Sequence, residues 1–230
     1  STSKRDDCVE LMACIDREIQ ELEGALPLRI CLAAKPGGGK TALCQRLVLA
    51  FLKGDSDFLQ EYKYLIPHDQ NQIPVFLFLK KMGSVNLTEI VDMDFADITY
   101  YLTKEILGMR FSDEISFENF RALLQEWANN GQLMLFLDGW DEILDGAKEL
   151  LILNKLKAFL ESHQRTNVII TVRKSFKNED GSAFAPFGSD TAYRSILPLD
   201  DVSVGRFCKD WYHLMYSDPN LQNGYIEIIQ

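Results

Sequence analysis

The sequence predicts an α/β fold with helices on both faces of a mostly parallel, five-stranded sheet, followed by the start of a helical domain. Three observations lead there. The runs Pro74-Val75-Phe76-Leu77-Phe78-Leu79, Leu133-Met134-Leu135-Phe136-Leu137 and Asn167-Val168-Ile169-Ile170-Thr171 are apolar almost throughout, as strands buried on both faces of a parallel sheet are. Stretches of helical periodicity separate them, and strands that alternate with helices build a layered, doubly wound domain. A glycine-rich stretch, Gly37-Gly38-Gly39, joins a short fourth run to a helix.

In chain order, residues 5–22 place Val9, Met12, Ile15, Ile19 and Leu22 on one helical stripe, which Gly24 and Pro27 bring to a stop. Residues 1–24 are therefore expected to form a linker helix ahead of a main domain spanning 25–199. The short run at 28–32 predicts a strand, and 41–52 is apolar around most of its circumference, like a helix covering a sheet. The acidic stretch 86–107, with Asp92, Asp94 and Asp97, reads as a solvated helix face rather than a metal cluster. Ser116 caps another helix that ends at Asn129-Asn130-Gly131. A helix around 150–160 links the runs at 133 and 167. Residues 174–191 carry Gly181 and Gly188 with no periodicity and are expected to be a mobile loop. A fifth strand at 193–197 precedes a helix with Val202, Phe207 and Trp211, so 200–230 reads as the start of an adjoining helical domain. Trp140 and Trp211 are expected in cores rather than as base-stacking platforms.

The totals exclude several function classes. A chain of 230 residues can bury one good core, and 47% hydrophobic with 25% charged residues is ordinary for a globular protein. A net charge of −10 repels nucleic acid and anionic lipid, which argues against a DNA-tracking motor. Cys8, Cys14, Cys31, Cys44 and Cys208 form no C-x-x-C pair; Cys31 and Cys44 read as small core residues, and the set fits a reducing cytoplasm. His68, His163 and His213 are isolated, so no histidine-based metal site is expected. No apolar run approaches the roughly 20 residues of a membrane span, and no signal peptide is visible. Because the chain begins with Ser1 and stops within a helical pattern, it is expected to be a piece of a longer protein.

The chemistry begins at the glycines. The pattern G-x-x-x-x-G-K-[ST] reads here as Ala34-Lys35-Pro36-Gly37-Gly38-Gly39-Lys40-Thr41, between a strand and a helix as a phosphate-binding P-loop requires. Residues Lys35, Pro36, Gly37, Gly38, Gly39, Lys40, Thr41 and Ala42 are the expected phosphate cradle, with backbone N–H groups and the helix N-terminus facing the anion. Lys40 would reach the β- and γ-phosphates, and Thr41 would ligate Mg²⁺. Ala34 replaces the first glycine; were φ positive there, alanine would cost about 1 kcal/mol.

Asp138 follows a buried strand, at the edge where parallel sheets bind ligands, and is expected to hold Mg²⁺ with Thr41. In Asp138-Gly139-Trp140-Asp141-Glu142 the glycine allows a turn that would return Asp141 and Glu142 toward the γ-phosphate to orient a water. The alternative is that both acids cap the next helix. Alternation puts Thr171 and Arg173 on one strand face; Arg173 would read the γ-phosphate and stabilise charge in the transition state, or else pair with a carboxylate at the surface. Asn154-Lys155 runs on to Leu156-Lys157 inside a helix, so the guanine-reading Asn-Lys-x-Asp motif is missing and ATP is favoured over GTP.

These motifs, in order, resemble the NACHT nucleotide-binding domains of the STAND class of signalling NTPases. The resemblance rests on Lys35-Pro36-Gly37-Gly38-Gly39-Lys40-Thr41, Ile73-Pro74-Val75-Phe76-Leu77, Leu135-Phe136-Leu137-Asp138-Gly139-Trp140-Asp141-Glu142, Val168-Ile169-Ile170-Thr171-Val172-Arg173 and Leu197-Pro198-Leu199-Asp200, and covers roughly residues 27–212. It implies a three-layer P-loop NTPase that binds ATP or ADP with Mg²⁺, hydrolyses ATP slowly and couples nucleotide state to homo-oligomerisation in innate-immune or antiviral defence. It also implies an effector and a sensor that this chain lacks, and a chain that stops before the winged-helix region. The competing expectations are a phosphotransferase of the nucleotide-kinase type, which would need an arginine-rich lid, and a nucleotide-stabilised scaffold without turnover.

Overall fold

The computed structural model describes residues 27–63, 65–66, 71–107, 116–176, 184–197 and 205. The chain divides between Ile196 and Leu197, and the description below concerns the part before that division. The expected helices at 5–22 and beyond 200, with Trp211, Cys8, Cys14, Cys208, His68 and His213, lie outside the described residues.

Five strands form one sheet: β1 (Arg29–Ala34), β2 (Ile73–Phe78), β3 (Leu133–Asp138), β4 (Asn167–Arg173) and β5 (Ala192–Ser195). Their spatial order is β2-β3-β4-β1-β5, and every neighbouring pair is parallel. The expectation of a mostly parallel sheet thus becomes an all-parallel one among the described residues. β1 and β4 each run two residues past their apolar runs, to Ala34 and Arg173, because they pair with each other to the end: Ala34 lies opposite Arg173.

Side-chain alternation along the strands builds two cores. Ile30, Leu32, Met134, Phe136 and Ile169 face α1 (Lys40–Lys53), which presents Cys44, Leu47 and Ala50 at spacings of three. Leu52 stays exposed on α1, so the helix buries a stripe rather than most of its circumference. A short α2 (Ser56–Glu61) follows, with Leu59 in the same core. Cys31, Ala33, Leu135, Leu137, Val168, Ile170 and Val172 face the other way. There they meet Ile90 of α3 (Leu87–Asp92), Leu102 of α4 (Phe95–Leu107), Leu124 of α5 (Phe117–Asn129) and Leu156 of α6 (Gly146–Ser162). The outward move from β1 to β2 and the return through β3 to β4 therefore use opposite faces, as the common hand of parallel crossovers requires. Each fully buried leucine contributes about 1.5–3 kcal/mol.

The expectation for the acidic stretch is corrected. Residues 86–107 do not form one solvated helix face, because the helix breaks at Met93 and Asp94. Asp94 accepts from the Asp97 amide at 2.9 Å while Asp97 accepts from the Asp94 amide at 2.6 Å, a reciprocal cap. Arg121 of α5 bridges both carboxylates, so these two acids join two helices, although the Asp94 side chain stays 47% exposed. Of the loop expected at 174–191, residues 177–183 lie outside the described residues. Phe184 is buried against Trp140 and Phe176, and Gly188–Asp190 forms a 3₁₀ turn. Two aromatics supply apolar area that periodicity alone does not register.

The amino edge of the sheet is tied by a polar network. Asn167 accepts from the Leu28 amide at 2.9 Å and donates to Gln72 at 2.9 Å, and Gln72 donates to the Gly131 carbonyl at 3.2 Å. Among the described residues no helix is long and apolar enough to cross a membrane. Replacing Asn167 by Leu strands the Leu28 amide and the Gln72 carbonyl, so we expect a loss of about 1–3 kcal/mol in urea unfolding. An unchanged midpoint would remove the network from the account of stability.

Candidate functional site

All five strands point their carboxyl ends to one edge. Beyond β1 the chain turns to α1 on one face; beyond β3 and β4 it packs α6 and Phe184 on the other. Adjacent strands whose continuations diverge leave a crevice at that edge, and here it lies between β1 and β4.

The glycine loop forms one wall. Gly37 and Gly39 have φ of 72° and 83°, the left-handed region, which a side chain adopts only under strain. Gly38 is needed for space: the Gly38 amide donates to the Lys35 carbonyl at 3.0 Å, and a Cβ there would sit 2.9 Å from both that oxygen and the Ala34 Cβ. No residue other than glycine has positive φ among the described residues, so the cost anticipated for Ala34 does not arise. Ala34 closes β1 as a buried residue, and its methyl lies against Gly38, which limits the position to a small side chain.

Gly39 caps α1 without a side chain, and the first turn of the helix contains no acid. The amides of Lys40, Thr41 and Ala42 thus have no intrahelical acceptor, at the positive end of a 14-residue helix. Lys35, Pro36, Gly37, Gly39, Thr41 and Ala42 are exposed, and Gly38 and Lys40 partly so. The loop can therefore receive an anion from solvent.

Asp138 ends β3, 6% exposed, with both carboxylate oxygens engaged. Thr41 Oγ1 donates to Oδ2 at 2.8 Å and Thr171 Oγ1 donates to Oδ1 at 2.7 Å. Thr171 also accepts from the Gly139 amide at 2.9 Å, so one buried hydroxyl fixes the carboxylate and the turn that follows it. A hydroxyl and a carboxylate are hard donors of the kind Mg²⁺ takes, and their 2.8 Å separation fits two neighbouring corners of its octahedron, about 2.9 Å apart for bonds near 2.05 Å. Among the described residues no three His, Cys, Asp or Glu side chains assemble a cage, so a cation here would complete its shell with water and phosphate oxygens.

Behind the loop, burial is the main force pushing the Cys44 thiol well above its usual range; Asp138 adds to this and Lys40 opposes it. Burial likewise raises Cys31 to about 11, against a hydrogen bond with Tyr193. Both cysteines are inert core residues, as read from their surroundings in sequence.

Gly139 takes a left-handed φ of 78° and starts the 3₁₀ turn Trp140–Glu142. Trp140 is fully buried, and its indole donates to Glu149 at 2.9 Å, which pins the turn. Neither Asp141 nor Glu142 caps the next helix; Asp145 does, accepting from the Ala147 and Lys148 amides at 2.9 and 3.3 Å. Asp141 instead faces β4, where it accepts from the Arg173 amide at 3.0 Å and pairs with Arg173 Nε at 2.8 Å. Arg173 therefore sits as the carboxylate-paired alternative anticipated for it, beside the loop. Glu142 lies 3.5 Å from Lys80, which follows β2.

Of the residues singled out in sequence, Thr41 and Asp138 meet directly, as do Asp141 and Arg173. Sequence reasoning did not assign Thr171 or Lys80. Alternation pointed Thr171 to the face of Arg173, but its role depends on β3 and β4 being neighbours. Lys80 had no such signal. Comparison with family models and with curated proteins gave no match.

Thr171→Val should destabilise the fold by about 1–3 kcal/mol, since it leaves the Gly139 amide and one Asp138 oxygen without a partner. Thr171→Ser keeps the hydroxyl and should recover most of that loss in urea unfolding. Equal behaviour of the two variants would show that methyl packing, not the hydroxyl, matters at this position.

Proposed function

We propose that this chain is the P-loop nucleotide-binding module of a NACHT-type signalling NTPase, which binds ATP or ADP with Mg²⁺ and uses the difference between them as a switch. The observation that carries the reading is the 2.8 Å contact between Thr41 and Asp138, residues 97 apart in sequence. It brings the hydroxyl after the glycine loop to the carboxylate that ends β3, the two protein groups that a Mg²⁺–triphosphate complex would need.

The roles follow from the chemistry of each group. The amides of the loop and of the first turn of α1 bind phosphate oxygens, and Lys40 supplies a point charge for the β- and γ-phosphates. Mg²⁺, held by Thr41 and Asp138, would neutralise phosphate charge. Arg173 contributes a planar donor beside the γ-phosphate, and the Asp141-Glu142 turn orients the attacking water. ATP and ADP differ only by the terminal phosphate, so a switch must draw its free energy from groups that touch that phosphate. Slow turnover suits this use, because the triphosphate state must persist long enough to act. Homo-oligomerisation, innate-immune or antiviral signalling and a cytoplasmic setting are what the NACHT resemblance implies.

The test starts with purified protein, which is denatured so that any released nucleotide can be identified. Bound ADP, or measurable ATP binding in calorimetry, is the expected result; neither would sink the reading. Lys40→Ala should weaken ATP binding at least about 100-fold through loss of charge-assisted contacts, and an unchanged affinity would remove Lys40 from the site. Glu142→Gln should leave ATP affinity within about threefold of the parent while slowing hydrolysis, and equal turnover would take the water-orienting role from Glu142.

A further inference from the structure

We infer that Asp141 is a positioning residue for Arg173, leaving Glu142 as the acid of the pair that meets water. The inference rests on the nucleotide-binding reading above and specifies how the γ-phosphate is sensed. Asp141 spends both carboxylate oxygens on one residue, Oδ1 on the backbone amide of Arg173 and Oδ2 on Nε. Its side chain is 6% exposed, so an attacking water has little access to it. The Glu142 side chain is 38% exposed, and its ion pair among the described residues is with the well-exposed Lys80 at 3.5 Å, a pairing too solvated to hold it firmly.

What Asp141 gains by this arrangement is control over the guanidinium. Arg173 lies opposite Ala34 in register, one strand from the root of the glycine loop. The ion pair at Nε, with the amide bond behind it, keeps the group against the turn, while its two terminal amino groups remain as a fork suited to two phosphate oxygens. The turn that carries Asp141 is itself fixed by Trp140 and by the Gly139–Thr171 bond. Asparagine at 141 could still accept from the Arg173 amide, but its NH₂ would then face Nε, donor against donor. Lysine at 173 has no second edge with which to serve both the carboxylate and the phosphate.

The test is a double-mutant cycle on the full chain, with Asp141→Asn, Arg173→Ala and the combination. ATP and ADP affinities are measured by calorimetry with Mg²⁺, and turnover is measured in parallel. Arg173→Ala should lower the preference for ATP over ADP by about tenfold or more. Asp141→Asn should lower it most of the way to the same value, and should add nothing further once Arg173 is gone. Should Asp141→Asn fail to fold, Arg173→Lys with Asp141 intact should show the same lost preference. Three results would overturn the inference: an Asp141→Asn protein with parental preference, whatever its turnover, effects that add in full in the double variant, or no change in preference when Arg173 is removed or made lysine. A parental chain that binds neither nucleotide fails earlier and differently, since it removes the nucleotide reading itself.

Discussion

The structure depends on how it accommodates one carboxylate. Asp138 ends a strand whose every residue is buried, and a charge in such a place must be met by donors or its burial would be severely unfavourable. Two threonines meet it from two directions, Thr41 from the helix after the glycine loop and Thr171 from the neighbouring strand. The same two bonds draw α1, β3 and β4 together at the carboxyl edge. A group that is a burden to the fold thereby becomes the fixed point against which the loop is placed.

The two edges of the sheet divide the work. At the amino edge Asn167, Gln72 and the Leu28 amide satisfy one another with neutral groups, a closed network suited to stability. At the carboxyl edge two hydroxyls meet charged groups and the loop is open to solvent, with the amides at the start of α1 uncapped. Those amides oppose compactness slightly and favour an anion strongly.

Much of this was legible in the sequence, for reasons that differ by element. The central strands β1, β3 and β4 were readable because a parallel strand buried on both faces has no alternation to hide, and the loop because Gly37-Gly38-Gly39-Lys40-Thr41 has few other uses between a strand and a helix. Strand order was not readable, since nothing in the apolar runs says that β4 lies between β1 and β3. The partnership of Thr171 with Asp138 was hidden for the same reason. Asp141 and Glu142 lie in a 3₁₀ turn, where neither helical nor strand periodicity separates one acid from the other. The tie from Asp94 and Asp97 to α5 was not readable, because charge content speaks of solvent, whereas a cap is recognised only by its spacing and the helix break beside it.

Ala34, where the loop departs from the glycine of its motif, has a consequence outside the folded state. Since its φ is not positive, alanine imposes no conformational strain in the native chain. In the unfolded chain it narrows the backbone's freedom relative to glycine, an entropy difference of about 0.4–1 kcal/mol in favour of folding. Three consecutive glycines make the segment after it among the most expensive in the molecule to order. A residue that folds with less entropy loss, at the point where the strand gives way to those glycines, offsets part of that expense and stiffens the root of the loop.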